Sequence, residues 1–150
     1  MRQTNADIIA LQEVTRSFLI KLQREKWVQD NYYLSESAAM GLTIQPYGQV
    51  LLSKFPFVRV LVHEYSTVKR VIVGEFLINS RRLFVSNIHL TARRGESEKS
   101  DEALGKAIDI VNERRAKQLQ VIYAKLEQFI NESKAITTSS PKTELNTEEK

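Results

Sequence analysis

Apolar and polar positions fall into two regimes along this chain. Up to Leu90, short runs rich in Ile, Val and Leu alternate with polar breaks; beyond about Ile108 the apolar positions recur at helical spacing. The run Ala6-Asp7-Ile8-Ile9-Ala10-Leu11-Gln12-Glu13-Val14 reads as a short buried strand. At a period of two, Ile9, Leu11 and Glu13 share one face, and Ile8, Ala10 and Gln12 the other. Thr15 suits the N-cap of an amphipathic helix carrying Phe18, Leu19 and Leu22 and closing at Trp27 and Val28, which should cover a sheet. Asp30-Asn31 marks a turn, Tyr32 to Ser35 a short strand, and residues 36–46 a loop. Val50 to Leu52 suits a buried strand that Pro56 stops, because proline has no N–H to give a ladder. Phe57 to His63 is another strand, with His63 expected at its surface end. Val71 to Ile78 and Leu83 to Leu90 follow, joined by Asn79-Ser80-Arg81-Arg82, and predict an antiparallel hairpin.

In the second regime Ile108, Val111, Leu119, Ile122, Leu126, Phe129 and Ile130 form one stripe of a long helix. Arg115 falls in the middle of that stripe and Gln118 at its edge. A guanidinium on an inward face must snorkel or find acceptors, so a structural hydrogen-bonding role is expected for both. From Lys134 the apolar pattern ends, which predicts a disordered tail over residues 134–150. There are no internal repeats.

Composition narrows the frame. The 150 residues suit one domain at most, and 42% hydrophobic content is that of a globular chain. No stretch approaches the roughly 20 apolar residues of a membrane-spanning helix. The chain has no cysteine, which excludes disulfides and thiolate metal sites and fits a reducing, intracellular compartment, nucleus or cytoplasm. A net charge of +4 leans towards polyanions without establishing one as a partner.

Two strand ends carry candidate chemistry. Gln12-Glu13 ends the first strand, and Asn87-Ile88-His89 ends the last, where Leu83, Val85, Asn87 and His89 are expected to share a face. A carboxylate emerging from a core strand is paired, metal-bound, at a cleft or simply at solvent, and the residues alone leave these open. A lone histidine is in the same position, and by itself is more often structural. Arg93-Arg94-Gly95 follows His89 at once, which would suit a phosphate or merely a solvated turn.

Together these segments resemble the endonuclease/exonuclease/phosphatase superfamily. Asp7 to Val14 resembles its "PDIIxLQEV" strand, and Tyr47-Gly48 through Leu52-Ser53-Lys54-Phe55-Pro56 its "YGxxxLSKxP" segment. Asn87-Ile88-His89-Leu90 resembles its "NxHL" strand end, and Arg114 to Leu119 its "RxxQL" helix. Val14-Thr15-Arg16, Tyr32 to Ser35 and the His89 to Gly95 stretch look closest to the 5′-tyrosyl-DNA phosphodiesterase branch. The resemblance implies an α+β fold, part of a four-layer sandwich of mixed, mostly antiparallel sheets flanked by helices. It implies hydrolysis of phosphodiesters, in DNA or in 5′-tyrosyl-DNA adducts, supported by Mg²⁺ (or Mn²⁺). Glu13 matches the metal-holding carboxylate and His89 the histidine that contacts the scissile phosphate. Gln12 would orient the site, and Arg94 would contact phosphate or substrate strand.

The same resemblance exposes gaps. No Asp-x-Asn occurs anywhere, and Ser100-Asp101 is followed by Glu102 instead of histidine. Eleven residues precede Gln12, with no strand carrying the family's upstream asparagine. Residues 1–133 are therefore expected to be a partial domain lacking its first strand, with little or no turnover, since losing members of a cooperating set costs orders of magnitude. One sheet should lose most of its partner sheet, leaving an apolar face and unpaired edges exposed, with marginal stability or self-association as the result. Two other readings remain: a non-catalytic nucleic-acid- or protein-binding remnant, and a phosphatase of inositol phosphates or lipids.

Overall fold

The computed structural model describes residues 5–36, 44–66, 69–92 and 100–139. Two three-stranded sheets stack on each other, each with its outer face covered by helix. The first sheet has the order β1-β3-β2, from β1 (Ile8–Val14), β3 (Gly48–Ser53) and β2 (Tyr33–Leu34). The second has the order β4-β5-β6, from β4 (Phe57–Ser66), β5 (Lys69–Ile78) and β6 (Arg81–Ile88). All the pairings among the described strands are antiparallel, so the expected α+β sandwich is present without a parallel pair among them.

Alternation within each strand sorts the chain into layers. Val50 and Leu52 of β3 turn outward onto a core with Val14, Leu19, Leu22, Val28 and Ile44. Leu19 and Leu22 come from α1 (Arg16–Arg24), which Thr15 caps by accepting from the Phe18 amide at 3.3 Å. Val28 comes from α2 (Lys26–Asn31). The single helix expected here is thus two, broken at an extended Glu25. Spacing gives the reason: nine residues at 100° each would put Val28 about half a turn from Leu19, facing water. The break returns it to the core. On the other side of the molecule Val71 and Val73 of β5 pack on Ile122 and Phe129 of α3 (Asp101–Ser139).

Between the sheets the inner face of β3 meets β5 and β6. Gly74 of β5 lies there, where an added Cβ would come within 2.9 Å of the Phe57 and Phe76 rings. Those rings pack at a tilt with 4.8 Å between centroids, so only glycine lets them close over the strand.

Four further details differ from the sequence reading. The β5–β6 turn is two residues, Asn79 and Ser80, both at positive φ, and Arg81 and Arg82 belong to β6. That is the turn geometry that matches strand twist. The helix α3 starts at Asp101 and reaches Ser139, so residues 134–139 are helical instead of tail. Ser133, buried against β5, carries the packed face right up to the expected boundary, and the helix runs on from there. Ile108, expected in the buried stripe, is 44% exposed. A 39-residue helix is about 58 Å long, whereas a ten-residue strand spans about 33 Å, so one end must overhang. Last, β4 continues past His63, whose ring faces α3 with Nε2 buried and unpartnered, lining a small cavity with Leu61, Lys125, Gln128, Phe129 and Glu132. On the opposite face of β4, Val60 and Val62 remain 37% exposed. Among the described residues no helix is long and apolar enough to cross a membrane.

Candidate functional site

The two polar strand ends meet where the sheets stack. Ile8 to Leu11 pair regularly with β3, and pairing then skips Gln12 and Glu13 and resumes at Val14 opposite Gly48. Within this bulge Glu13 adopts φ 56°, a left-handed conformation that costs a non-glycine residue about 1–2 kcal/mol. Strict alternation would have sent Glu13 into the α1–α2 core with Ile9 and Leu11. Burying a bare carboxylate there costs more than the backbone strain. The bulge instead turns it to the open strand end where the sheets meet, with its side chain 72% exposed and Oε1 3.6 Å from Nε2 of His89.

His89 lies one residue beyond β6. Its place is set by backbone contacts on both sides. Gln12 donates to the Ile88 carbonyl at 2.7 Å, and Tyr65 of β4 donates its hydroxyl to the His89 carbonyl at 2.6 Å. Just before it, Asn87 is 3% exposed and faces the first sheet. It donates to the carbonyls of Leu11 (2.8 Å) and Val50 (3.3 Å), while Gln49 of β3 donates to the Asn87 carbonyl at 2.9 Å. These amides span the seam between sheets. Gln12 therefore positions the His89 strand end, and through its own backbone the Glu13 that follows it.

Lys69, the first residue of β5, brings its ammonium to 3.2 Å from His89 Nε2. Tyr47 flanks the imidazole with 6.3 Å between ring centroids. Burial pushes the His89 pKa below its usual 6.5, Lys69 pushes the same way, and Glu13 opposes them. A neutral imidazole accepts from the Lys69 ammonium. Burial also lowers the Lys69 pKa, against the pull of Glu13. The Tyr65 hydroxyl is pushed up to about 12, mainly by burial, although its bond to His89 favours the opposite direction.

Downstream of His89, α3 grips the chain. Gln118 accepts from the Thr91 amide at 3.1 Å and donates to Thr91 Oγ1 at 2.8 Å, while Arg115 donates to the Thr91 carbonyl at 2.9 Å. Arg115 and Gln118 thus meet the site's exit loop and not the cleft. Arg94 lies outside the described residues.

Sequence reasoning missed Lys69, Gln49 and Tyr65. Lys69 sits in a polar stretch between strands that reads as solvated, and nothing in spacing places it beside His89. Gln49 had a signal: an amide leading straight into Val50-Leu51-Leu52 must find partners once buried.

The donor set is one exposed carboxylate with an imidazole and an ammonium beside it. A Mg²⁺ ion held by one carboxylate keeps most of its waters, and Glu13 is open enough to take such a hydrated ion. Among the described residues no group of three or more His, Asp or Glu side chains is placed to hold a metal. Among the described residues, Glu13 is the carboxylate that would hold a metal here, with water completing its shell. No protein-family model, curated protein or solved structure matches the chain.

Proposed function

We propose that the cleft is a half-site of the endonuclease/exonuclease/phosphatase type, built to bind a phosphodiester in nucleic acid, such as a 5′-tyrosyl-DNA adduct. One observation carries the reading: Glu13 and His89, from different sheets, converge to 3.6 Å at an open strand end. Glu13 would hold a Mg²⁺ (or Mn²⁺) ion, which when bound supplies Lewis-acid neutralisation of phosphate charge. His89 would contact a non-bridging phosphate oxygen, and Gln12 holds its strand end through the Ile88 carbonyl. The family's Asp-x-Asn and Ser-Asp-His elements have no counterpart in the sequence, so little or no turnover is expected.

Addition of Mn²⁺ should broaden the His89 ring resonances in NMR spectra, and Glu13→Ala should abolish that broadening. Broadening that persists in the variant would remove Glu13 from the metal role. Single-stranded, abasic and 5′-tyrosyl DNA should remain largely uncleaved; fast cleavage lost in Glu13→Ala would show that the half-site is a complete enzyme. We also propose self-association through the uncovered valine face of β4. Sedimentation velocity should show a concentration-dependent species that Val60→Lys weakens, and a monomer at all concentrations would refute it.

A further inference from the structure

We propose that Lys69 and His89 together hold a phosphate oxygen, so that the site captures a phosphate group without any metal ion. The inference rests on the phosphodiester reading of the same cleft and names the cation that reading lacks. Lys69 Nζ and His89 Nε2 lie 3.2 Å apart, two basic groups side by side at one end of the second sheet. An ammonium beside an imidazole disfavours positive charge on the ring, so the pair gains nothing from protonating His89 unless an anion joins it. An anion between them would accept from the Lys69 ammonium and, with the ring proton on Nε2, from His89, exchanging one hydrogen bond for two to a charged acceptor.

The cradle is held from several directions. Lys69 opens β5, the central strand of its sheet, and the neighbouring Val71 pairs with Ile88, so the two strands carry Lys69 and His89 to the same end. The Tyr65 hydroxyl fixes the His89 backbone, and Tyr47 walls one side of the ring. Glu13 stands 3.6 Å from the same Nε2 and repels an anion when no metal neutralises it. Lys69 offsets that charge. The cleft therefore has a cation of its own for phosphate, apart from any ion that Glu13 recruits.

The test uses the full chain in EDTA, with inorganic phosphate and a single-stranded hexathymidylate as probes. Isothermal titration should detect binding of both, and phosphate should shift the His89 ring nitrogens in NMR spectra. Lys69→Ala should weaken binding about ten-fold or more, the usual worth of a hydrogen bond to a charged group. Lys69→Arg should recover most of the loss, and Glu13→Ala should bind at least as tightly as the parent. If Lys69→Ala binds as the parent does while His89→Ala does not, Lys69 has no such role and the phosphodiester reading stands. Binding that appears only with Mg²⁺ likewise overturns the proposal alone. Absence of any response with or without Mg²⁺ would overturn both.

Discussion

Asn87 of β6 donates its side-chain amide to the Leu11 carbonyl of β1 at 2.8 Å, across the seam between the two sheets. Leu11 is the last regularly paired residue before the Glu13 bulge, and Asn87 stands two residues before His89. One side chain thus ties together the two strand ends that carry the cleft. It also donates to the Val50 carbonyl of β3 at 3.3 Å, so it touches both strands of the β1–β3 pair next to the bulge.

Asn87→Ala should therefore destabilise the fold and loosen the cleft together. Several buried polar groups would lose partners at once, at an expected cost of about 2–3 kcal/mol. Urea denaturation measures the loss. The linked expectation is that the Gln12 and Glu13 amides exchange faster with solvent in the variant, and unchanged exchange would separate the tie from the site.

The buried pair at the other end of the second sheet should behave differently. Glu75 is fully buried, and Arg82 and Ser133 both donate to its Oε1. Arg82→Ala leaves the carboxylate buried with poorer company and should cost about 3 kcal/mol. Replacing both partners, Glu75→Leu with Arg82→Leu, should cost much less than Arg82→Ala alone, because desolvation no longer has to be offset. Urea midpoints of the single and double variants decide it.

His89 should titrate below 6.5 in the folded chain. Its folded pKa is lowered, so the stability it contributes is fully present above pH 6.5 and is lost as pH falls below that towards the folded value. NMR titration of the ring nitrogens in EDTA measures it. Lys69→Gln should raise the midpoint and Glu13→Gln should lower it further, since the ammonium opposes and the carboxylate favours the imidazolium. Equal midpoints in all three proteins would deny the contact.

Tyr65 gives the alkaline counterpart. Its hydroxyl has an ordinary value of 10.0 and is pushed up to about 12 in the fold. The folded chain then keeps a proton that the unfolded chain releases, so this contribution is present below pH 10.0 and is lost as pH climbs to about 12. Thermal melting from pH 9 upward should fall less steeply in Tyr65→Phe than in the parent. The variant should also mobilise His89, whose carbonyl loses its donor.

Much of the scaffold could be read from hydropathy. Alternation and turn residues located the β5–β6 hairpin, and helical spacing located the packed part of α3. What failed was local phase. The strand rule put Glu13 beside Ile9 and Leu11, and the helix rule ran α1 straight through to Val28. In both places the burial of a few side chains against a distant surface outweighed the regular backbone period.

The sequence by itself determined where the main strands and the packed part of the long helix lie, and that Glu13 and His89 sit at strand ends. Those properties depend on neighbours within a few residues, where side-chain period and backbone geometry suffice. Only the tertiary structure decided that the carboxylate leaves the core face through a bulge, that Asn87 and Gln49 stitch the sheets, and that Lys69 reaches the imidazole. These depend on how two sheets stack, a packing outcome set by contacts between residues far apart in the chain, which no local pattern encodes.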